Sequence, residues 1–193
     1  AMEYVPDELT NLDGMLSDIY FGNFSIFQSM PDSWAIGQLF PVMPIHRLNE
    51  EPTRHAVLGD ITCDSDGKID CFIGNRRTME TMRLHAPNDE QYLIGVFLIG
   101  AYQEILGDLH NLFGDTHAVH VDVVGDQPVI ANIVKGDTVS EVLSYVQFDD
   151  RELIEKLQDA VEQAVQAGRI NNEQAGVVTR YYENALRGYT YLS

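Results

Sequence analysis

The chain has 193 residues, 45% of them hydrophobic, enough to bury a core as one domain with an appended helical piece. Twelve Lys and Arg face 30 Asp and Glu, a formal charge of -18 that argues against nucleic acid or an anionic membrane as partner. A cationic ligand suits this balance better, although the same acidity also serves solubility.

Cys63 and Cys71 are too few for a disulfide framework and lack the CxxC pairs of a zinc site, so a reducing, cytoplasmic setting is expected. The longest apolar run, residues 92–102, falls short of a membrane span, and no basic-plus-apolar signal opens the chain. Ala1 ahead of Met2 has no structural logic of its own and reads as an appended residue.

Residues 6–18 place Leu9, Leu12, Met15, Leu16 and Ile19 at helical spacing after a proline, which predicts an opening helix. Aromatic and β-forming residues then take over at 20–28, and a strand is expected there, closed by Pro31-Asp32. FPVMPI, with two prolines, fits only an edge strand or extended loop. Strands are predicted at 55–63 and 69–73, joined by Asp64-Ser65-Asp66-Gly67-Lys68 in a hairpin, with Cys71 as a core residue of the second. The run 92–99 predicts a buried strand ended by Gly100, and a short helix follows over 102–109.

Residues 118–124 alternate Val119, Val121 and Val123 against His120 and Asp122, then Gly125-Asp126 turns the chain into 128–134. After Gly136 the period becomes helical: Asp137 is expected to cap Val139, Val142, Leu143 and Val146. Asp149 and Asp150 start a longer helix ended by Gly168. Asn171 and Asn172 start the last, with Val177, Val178, Tyr181, Ala185 and Leu186 inward. The expected class is α+β: a mostly antiparallel β-barrel or sandwich core with short helices over 1–136, and a helical hairpin packed on it over 137–193.

Ile61-Thr62-Cys63-Asp64-Ser65-Asp66-Gly67 puts a thiol and two carboxylates on one short turn, a grouping that packing does not call for. Alone it reads equally as a turn whose aspartates bond backbone amides, with Cys63 a small strand residue. Upstream stands YFGNFSIFQSMPDSWAIGQLFPVMP and downstream GAYQEILGDLHNLFGDTH. Together, over about 20–146 and again in the closing GYTYL, these segments resemble the C-terminal part of the biosynthetic arginine decarboxylases. That family is similar to the ornithine and diaminopimelate decarboxylases, the fold-III enzymes that use pyridoxal 5'-phosphate.

The resemblance implies an upstream β/α barrel holding the cofactor lysine, a C-terminal β domain, and active sites shared between two subunits of a homo-oligomer. None of Lys68, Lys135 and Lys156 lies in a context resembling that lysine. Cys63 matches the family cysteine that protonates the carbanion left when CO2 departs. A thiol is mostly protonated near neutrality, and neighbouring carboxylates disfavour the thiolate. Asp64 matches the acid that meets the distal end of the substrate, and the planar fork of an arginine guanidinium suits a carboxylate. Asp66 is either a second reader of that end or a turn residue.

Tyr102, in Gly100-Ala101-Tyr102, matches the tyrosine that hydrogen-bonds the cofactor phosphate, where a glycine permits close approach at a helix start. His110 and Asn111 fall where relatives carry an aromatic-Asn pair lining the cofactor site. Trp34 is expected to be a packed anchor, and Gly37 replaces an acid that relatives often carry before Gln38.

His110, Asp115, His117 and His120 do not make a metal set, since His117 and His120 would face opposite sides of a strand. The family is reported to respond to magnesium, for which the sequence offers no site. The expectation is therefore a chain contributing to an enzyme that converts L-arginine to agmatine and CO2 for polyamine and spermidine biosynthesis, inactive without its barrel. The rival readings are a catalytically inactive paralogue and an acidic binding module for cationic amino acids or polyamines.

Overall fold

The computed structural model describes Gly14, residues 16–75 and residues 77–192. The helix expected at 6–18 lies almost wholly outside the described residues, and Ile19, assigned to its apolar face, stands in a strand instead. The chain divides into two compact units, Ala1–His110 and Asn111–Ser193.

In the first unit β3 (Arg54–Gly59) is the central strand. β1 (Asp18–Phe21) runs parallel to it, with Asp18 opposite Ala56 and Phe21 opposite Gly59. On its other edge β3 pairs antiparallel with β4 (Lys68–Ile69) and β7 (Met82–Leu84). Ala56 and Leu58 point inward onto Ile26, Phe27, Met30, Ile69, Phe72, Met82 and Leu84, the buried cluster. Smaller antiparallel pairs join β2 (Val42–Pro44) to β8 (Ile94–Val96) and β5 (Phe72–Ile73) to β6 (Thr78–Met79). Among the described residues no sheet closes into a barrel.

The strand expected at 20–28 is broken in two. β1 ends at Phe21, and Ser25 caps a four-residue helix α1 (Ile26–Ser29), its hydroxyl accepting from Gln28 N–H at 3.4 Å. Pro31 then opens α2 (Pro31–Ala35), where its fixed φ suits a first turn. A cap residue and a proline within seven positions outweigh the β preference of the aromatic side chains, which go into the core. α2 ends at Ala35, and Gly37 just beyond it, at a φ of +67°, lets Gln38 N–H reach back to Asp32 C=O at 3.0 Å.

The apolar run at 92–99 is not a buried strand: Leu93, Phe97, Leu98 and Ile99 are exposed, and only three of its residues pair. Its partner β2 is bounded by Pro41 and Pro44, which have no N–H to give to the ladder, and Leu98 turns to a φ of +61°. Cys71 is exposed rather than core, because it falls between β4 and β5 and the inward place goes to Phe72.

In the second unit β9 (Ala118–Val124) and β10 (Gln127–Val134) form the expected hairpin, with Gly125 at φ +64° in the turn and a register shift between Ile130 and Asn132. Thr138, not Asp137, caps α4 (Val139–Tyr145), in a reciprocal box with Glu141. Asp137 instead accepts from Asp115 N–H at 2.8 Å, a bond to a distant segment that spacing alone cannot reveal.

α5 (Asp150–Gln166) starts at Asp149 and α6 (Asn172–Leu186) at Asn171, as expected, and the two helices lie against each other. The inward face of α6 shares only Leu186 with the expected one. Val177, Val178 and Tyr181 are exposed, while Ala175, Thr179, Tyr182 and Leu186 form the protected stripe. Small Ala175 and Thr179 permit close helix approach, which the larger side chains would prevent.

Within the second unit the hairpin base is stitched to the closing residues. Tyr191 Oη donates to Gly114 C=O at 2.9 Å, Gly114 N–H donates to Thr190 Oγ1 at 3.1 Å, and Tyr189 bridges Thr138. Among the described residues no helix is long and apolar enough to cross a membrane.

Candidate functional site

The hairpin between β3 and β4 carries the thiol and carboxylates, and its base is built by Asp60. This side chain is only 2% exposed. One of its oxygens accepts from Thr62 N–H at 2.8 Å and Thr62 Oγ1 at 2.7 Å, and the other from Ile26 N–H at 2.9 Å. Its own N–H donates to Gly67 C=O at 2.7 Å, closing the loop, and Ile61 N–H donates to Phe24 C=O at 3.1 Å. Gly67 is buried against the same carboxylate.

Above this base the loop turns on its own acids. Asp64 Oδ1 accepts from Asp66 N–H at 3.0 Å, and Asp64 C=O accepts from Gly67 N–H at 3.1 Å. Cys63, Asp64, Ser65 and Asp66 are all exposed.

Phe27, buried on α1, supports two rings that flank the acids. Trp34 stands edge-on to it at 5.1 Å and 70°, and His110 is tilted against it at 4.4 Å and 45°. Trp34 Nε1 donates to Asp66 Oδ2 at 3.4 Å, and His110 Nε2 lies 3.7 Å from Asp64 Oδ2. Trp34 is half exposed rather than a packed anchor, because its indole serves the loop as well as Phe27. Lys68 is committed to Asp70 at 2.8 Å, and that hydrogen bond first of all raises its pKa. Among the described residues neither Asp64 nor Asp66 is paired with a lysine or arginine. The loop therefore offers two carboxylates with unused lone pairs beside a thiol, a geometry able to take a planar cation.

Tyr102 sits at the second position of α3 (Ala101–Ile105), shorter than the helix expected at 102–109, and is 78% exposed. Gly100 before it has open space around it. The next residue, Gln103, is buried and ties α3 to α2 by accepting from Asp32 N–H at 3.0 Å and donating to Asp32 Oδ2 at 2.5 Å. Tyr102 makes no hydrogen bond or ring contact with the Cys63–Asp66 turn, so the structure brings Asp64, Asp66 and His110 together and leaves Tyr102 apart. Asn111 adopts a left-handed φ of +55°.

Asp60, Phe27 and Gln103 were not singled out by sequence reasoning. The Asp-x-Thr spacing at 60–62 is the signal that marks Asp60, being an aspartate placed to bond the backbone two residues on. His117 has structural work: its Nδ1 accepts from Gly136 N–H at 2.8 Å and its ring stacks on Tyr189 at 4.2 Å. The cavity of about 550 Å³ beside Asp18, Tyr20, Arg54, Glu90 and Tyr92 contains none of the expected site residues.

A family profile described as "Arginine decarboxylase C-terminal helical extension" matches residues 139–192. The biosynthetic arginine decarboxylase of Rhodopirellula baltica is 64% identical over 194 residues, covering all of this chain and 29% of that protein. That of Gloeobacter violaceus is 50% identical over 198 residues, covering all of this chain and 31% of that protein. The crystal structure of biosynthetic arginine decarboxylase from Campylobacter jejuni superposes with a TM-score of 0.79 at 34% identity, over 91% of this chain and 29% of that one. A diaminopimelate decarboxylase structure shares the fold alone, at 17% identity and a TM-score of 0.50 over 67% of this chain and 30% of that one. The chain thus spans about 30% of the length of the curated relatives it matches. It belongs to the biosynthetic arginine decarboxylase family and carries that family's C-terminal helical extension.

Proposed function

We propose that this chain supplies the substrate-facing loop and a phosphate-facing tyrosine to a pyridoxal 5'-phosphate-dependent arginine decarboxylase, a carboxy-lyase that converts L-arginine to agmatine and CO2. The observation that carries the reading is the exposed Cys63-Asp64-Ser65-Asp66 turn, whose two carboxylates are flanked by Trp34 and His110 and, among the described residues, are paired with no lysine or arginine. On a protein this acidic, such a turn favours a cationic substrate end.

Asp64 would accept the guanidinium N–H pair of the substrate, with Asp66 beside it, held to the indole of Trp34. Cys63 would deliver its thiol proton to the substrate α-carbon after CO2 has left, so that the C–H bond replaces the lost C–C bond. The cofactor, when bound, supplies the electron sink that makes this loss feasible. Tyr102, with its hydroxyl turned outward beside an open Gly100, fits a group approaching from outside the chain and would donate to the phosphate. His110 and Asn111 would stand behind these contacts, and we assign magnesium no residue. The small sheets are, on this reading, parts of a β-sandwich or barrel completed elsewhere in the longer protein. The β/α barrel and cofactor lysine would come from the same longer protein, and Cys63 and Asp64 would face the site of a second subunit. The chain alone would be inactive, and the enzyme cytoplasmic.

The test is agmatine formation by a full-length decarboxylase containing this sequence. Cys63→Ala should slow turnover and divert part of it to misprotonated product, detected as the corresponding aldehyde. An unchanged rate and product would end the proton-donor assignment.

A further inference from the structure

The reactive turn is exposed, yet its two ends converge on one buried carboxylate. Ile26 N–H, Thr62 N–H and Thr62 Oγ1 all donate to Asp60, from 2.7 to 2.9 Å. These donors come from separate places: Thr62 is the residue before Cys63, while Ile26 begins α1. The far end of the turn reaches the same group, since Asp60 N–H donates to Gly67 C=O at 2.7 Å and Gly67 is packed on the carboxylate. α1 is also the helix whose Phe27 ring supports Trp34 and His110. One carboxylate thus fixes the thiol's turn to the element that holds the two rings flanking Asp64 and Asp66.

We propose that Asp60 is a positioning residue for decarboxylation, acting through Thr62 and Ile26 to hold Cys63 and Asp64 at a set place over the Phe27–Trp34–His110 rings. This rests on the assignment of Cys63 and Asp64 to the reaction. A neutral amide of the same shape is the discriminating replacement. Asn at position 60 must turn an NH2 group toward at least one N–H or O–H that now donates, so the clamp opens without a change in volume.

The test begins with amide hydrogen exchange of the 193-residue chain. In Asp60→Asn, exchange at Ile26 and Thr62 should quicken about tenfold, the consequence of one lost hydrogen bond, while Leu58 and Leu84 in the sheet stay within about twofold. In the full-length enzyme the same variant should lower kcat about tenfold, with KM changed much less, since the proton delivery is displaced more than the binding. Thr62→Val should quicken exchange at residue 62 and lower kcat, and Thr62→Ser should restore both; this pair decides the matter if Asp60→Asn does not fold. Unchanged exchange at Ile26 and Thr62, or exchange quickened equally at Leu58 and Leu84, would overturn the clamp. If Cys63→Ala leaves the reaction untouched while Asp60→Asn loosens only the turn, the functional assignment fails and the clamp stands as a feature of the loop.

Discussion

Gly67→Ala puts the geometry of the loop base under direct load. A methyl built at this position stands 2.2 Å from Asp60 Oδ1, 2.6 Å from Thr62 Oγ1 and 2.7 Å from Asp60 Cγ. Ordinary carbon contacts begin near 3.5 Å, so the carboxylate must retreat by roughly 1 Å. It cannot do so and keep its bonds to Ile26 and Thr62, which are already 2.7 to 2.9 Å long and lose strength quickly beyond 3.2 Å. Gly67 has no left-handed φ, so the penalty is the collision and not the backbone. The loss of one hydrogen bond to a charged group costs about 1.5–3 kcal/mol, and overpacking of a filled site about 1–3 kcal/mol, so about 2–3 kcal/mol is expected.

Trp34 is the chain's one tryptophan and sits beside the loop, which makes its fluorescence a local reporter in urea. With a slope of about 2 kcal/mol per molar, the midpoint should fall by roughly 1 M. A midpoint within about 0.2 M of the parent, at equal slope, would show that the base has room to yield and would refute the packing argument.

Tyr102→Phe removes a hydroxyl with no hydrogen-bond partner among the described residues. Stability of the chain should therefore hold to within about 0.5 kcal/mol, while a cofactor titration of the full-length enzyme should show affinity weakened by roughly 1–3 kcal/mol. Glu141 is held below its ordinary 4.5 by the hydrogen bond from Thr138 N–H first and the Thr138 hydroxyl second. Its contribution to the α4 cap is thus complete above pH 4.5 and is lost as pH falls through the lower folded value. An NMR titration placing the Glu141 carboxyl at or above 4.5 would contradict the capping box.

Local chemistry made much of this fold legible. The β9–β10 hairpin turn and the helix starts at Asp149 and Asn171 depend on neighbours in sequence, and each stands where its pattern placed it. Features decided by distant partners were not legible. Ser25 and Pro31 override the aromatic β signal at 20–28 only because the core receives Phe27 from a helix. Cys71 and Phe72 are adjacent candidates for one inward place, and which of them fills it depends on where β4 ends. On α6 the spacing points inward Val177, Val178, Tyr181, Ala185 and Leu186, of which Leu186 alone is buried, and the protected stripe is completed by Ala175, Thr179 and Tyr182. Within the site, Cys63, Asp64 and Asp66 stand out by their grouping on one turn and by the family resemblance, whereas Asp60 falls inside the strand expected at 55–63 and takes its role from Ile26, 34 residues away.

Residues 60, 64 and 66 are chemically identical, and the fold separates what they can do. Asp60 is almost sealed from solvent and accepts from three donors, so a ligand would have to displace a bond to gain one. Such a group can orient but cannot recruit. Asp64 spends one oxygen on the turn and keeps the other toward His110 at 3.7 Å, a separation that leaves room for a competing donor. Asp66 gives one oxygen to a long indole contact at 3.4 Å, and among the described residues its carboxylate makes no other hydrogen bond. Charge at the loop is therefore graded from the buried base to the exposed tip, with the orienting acid below and two receptive acids above. On the function proposed, a guanidinium would meet the upper pair without unpaired donors being left in the core, because the lower acid already satisfies them.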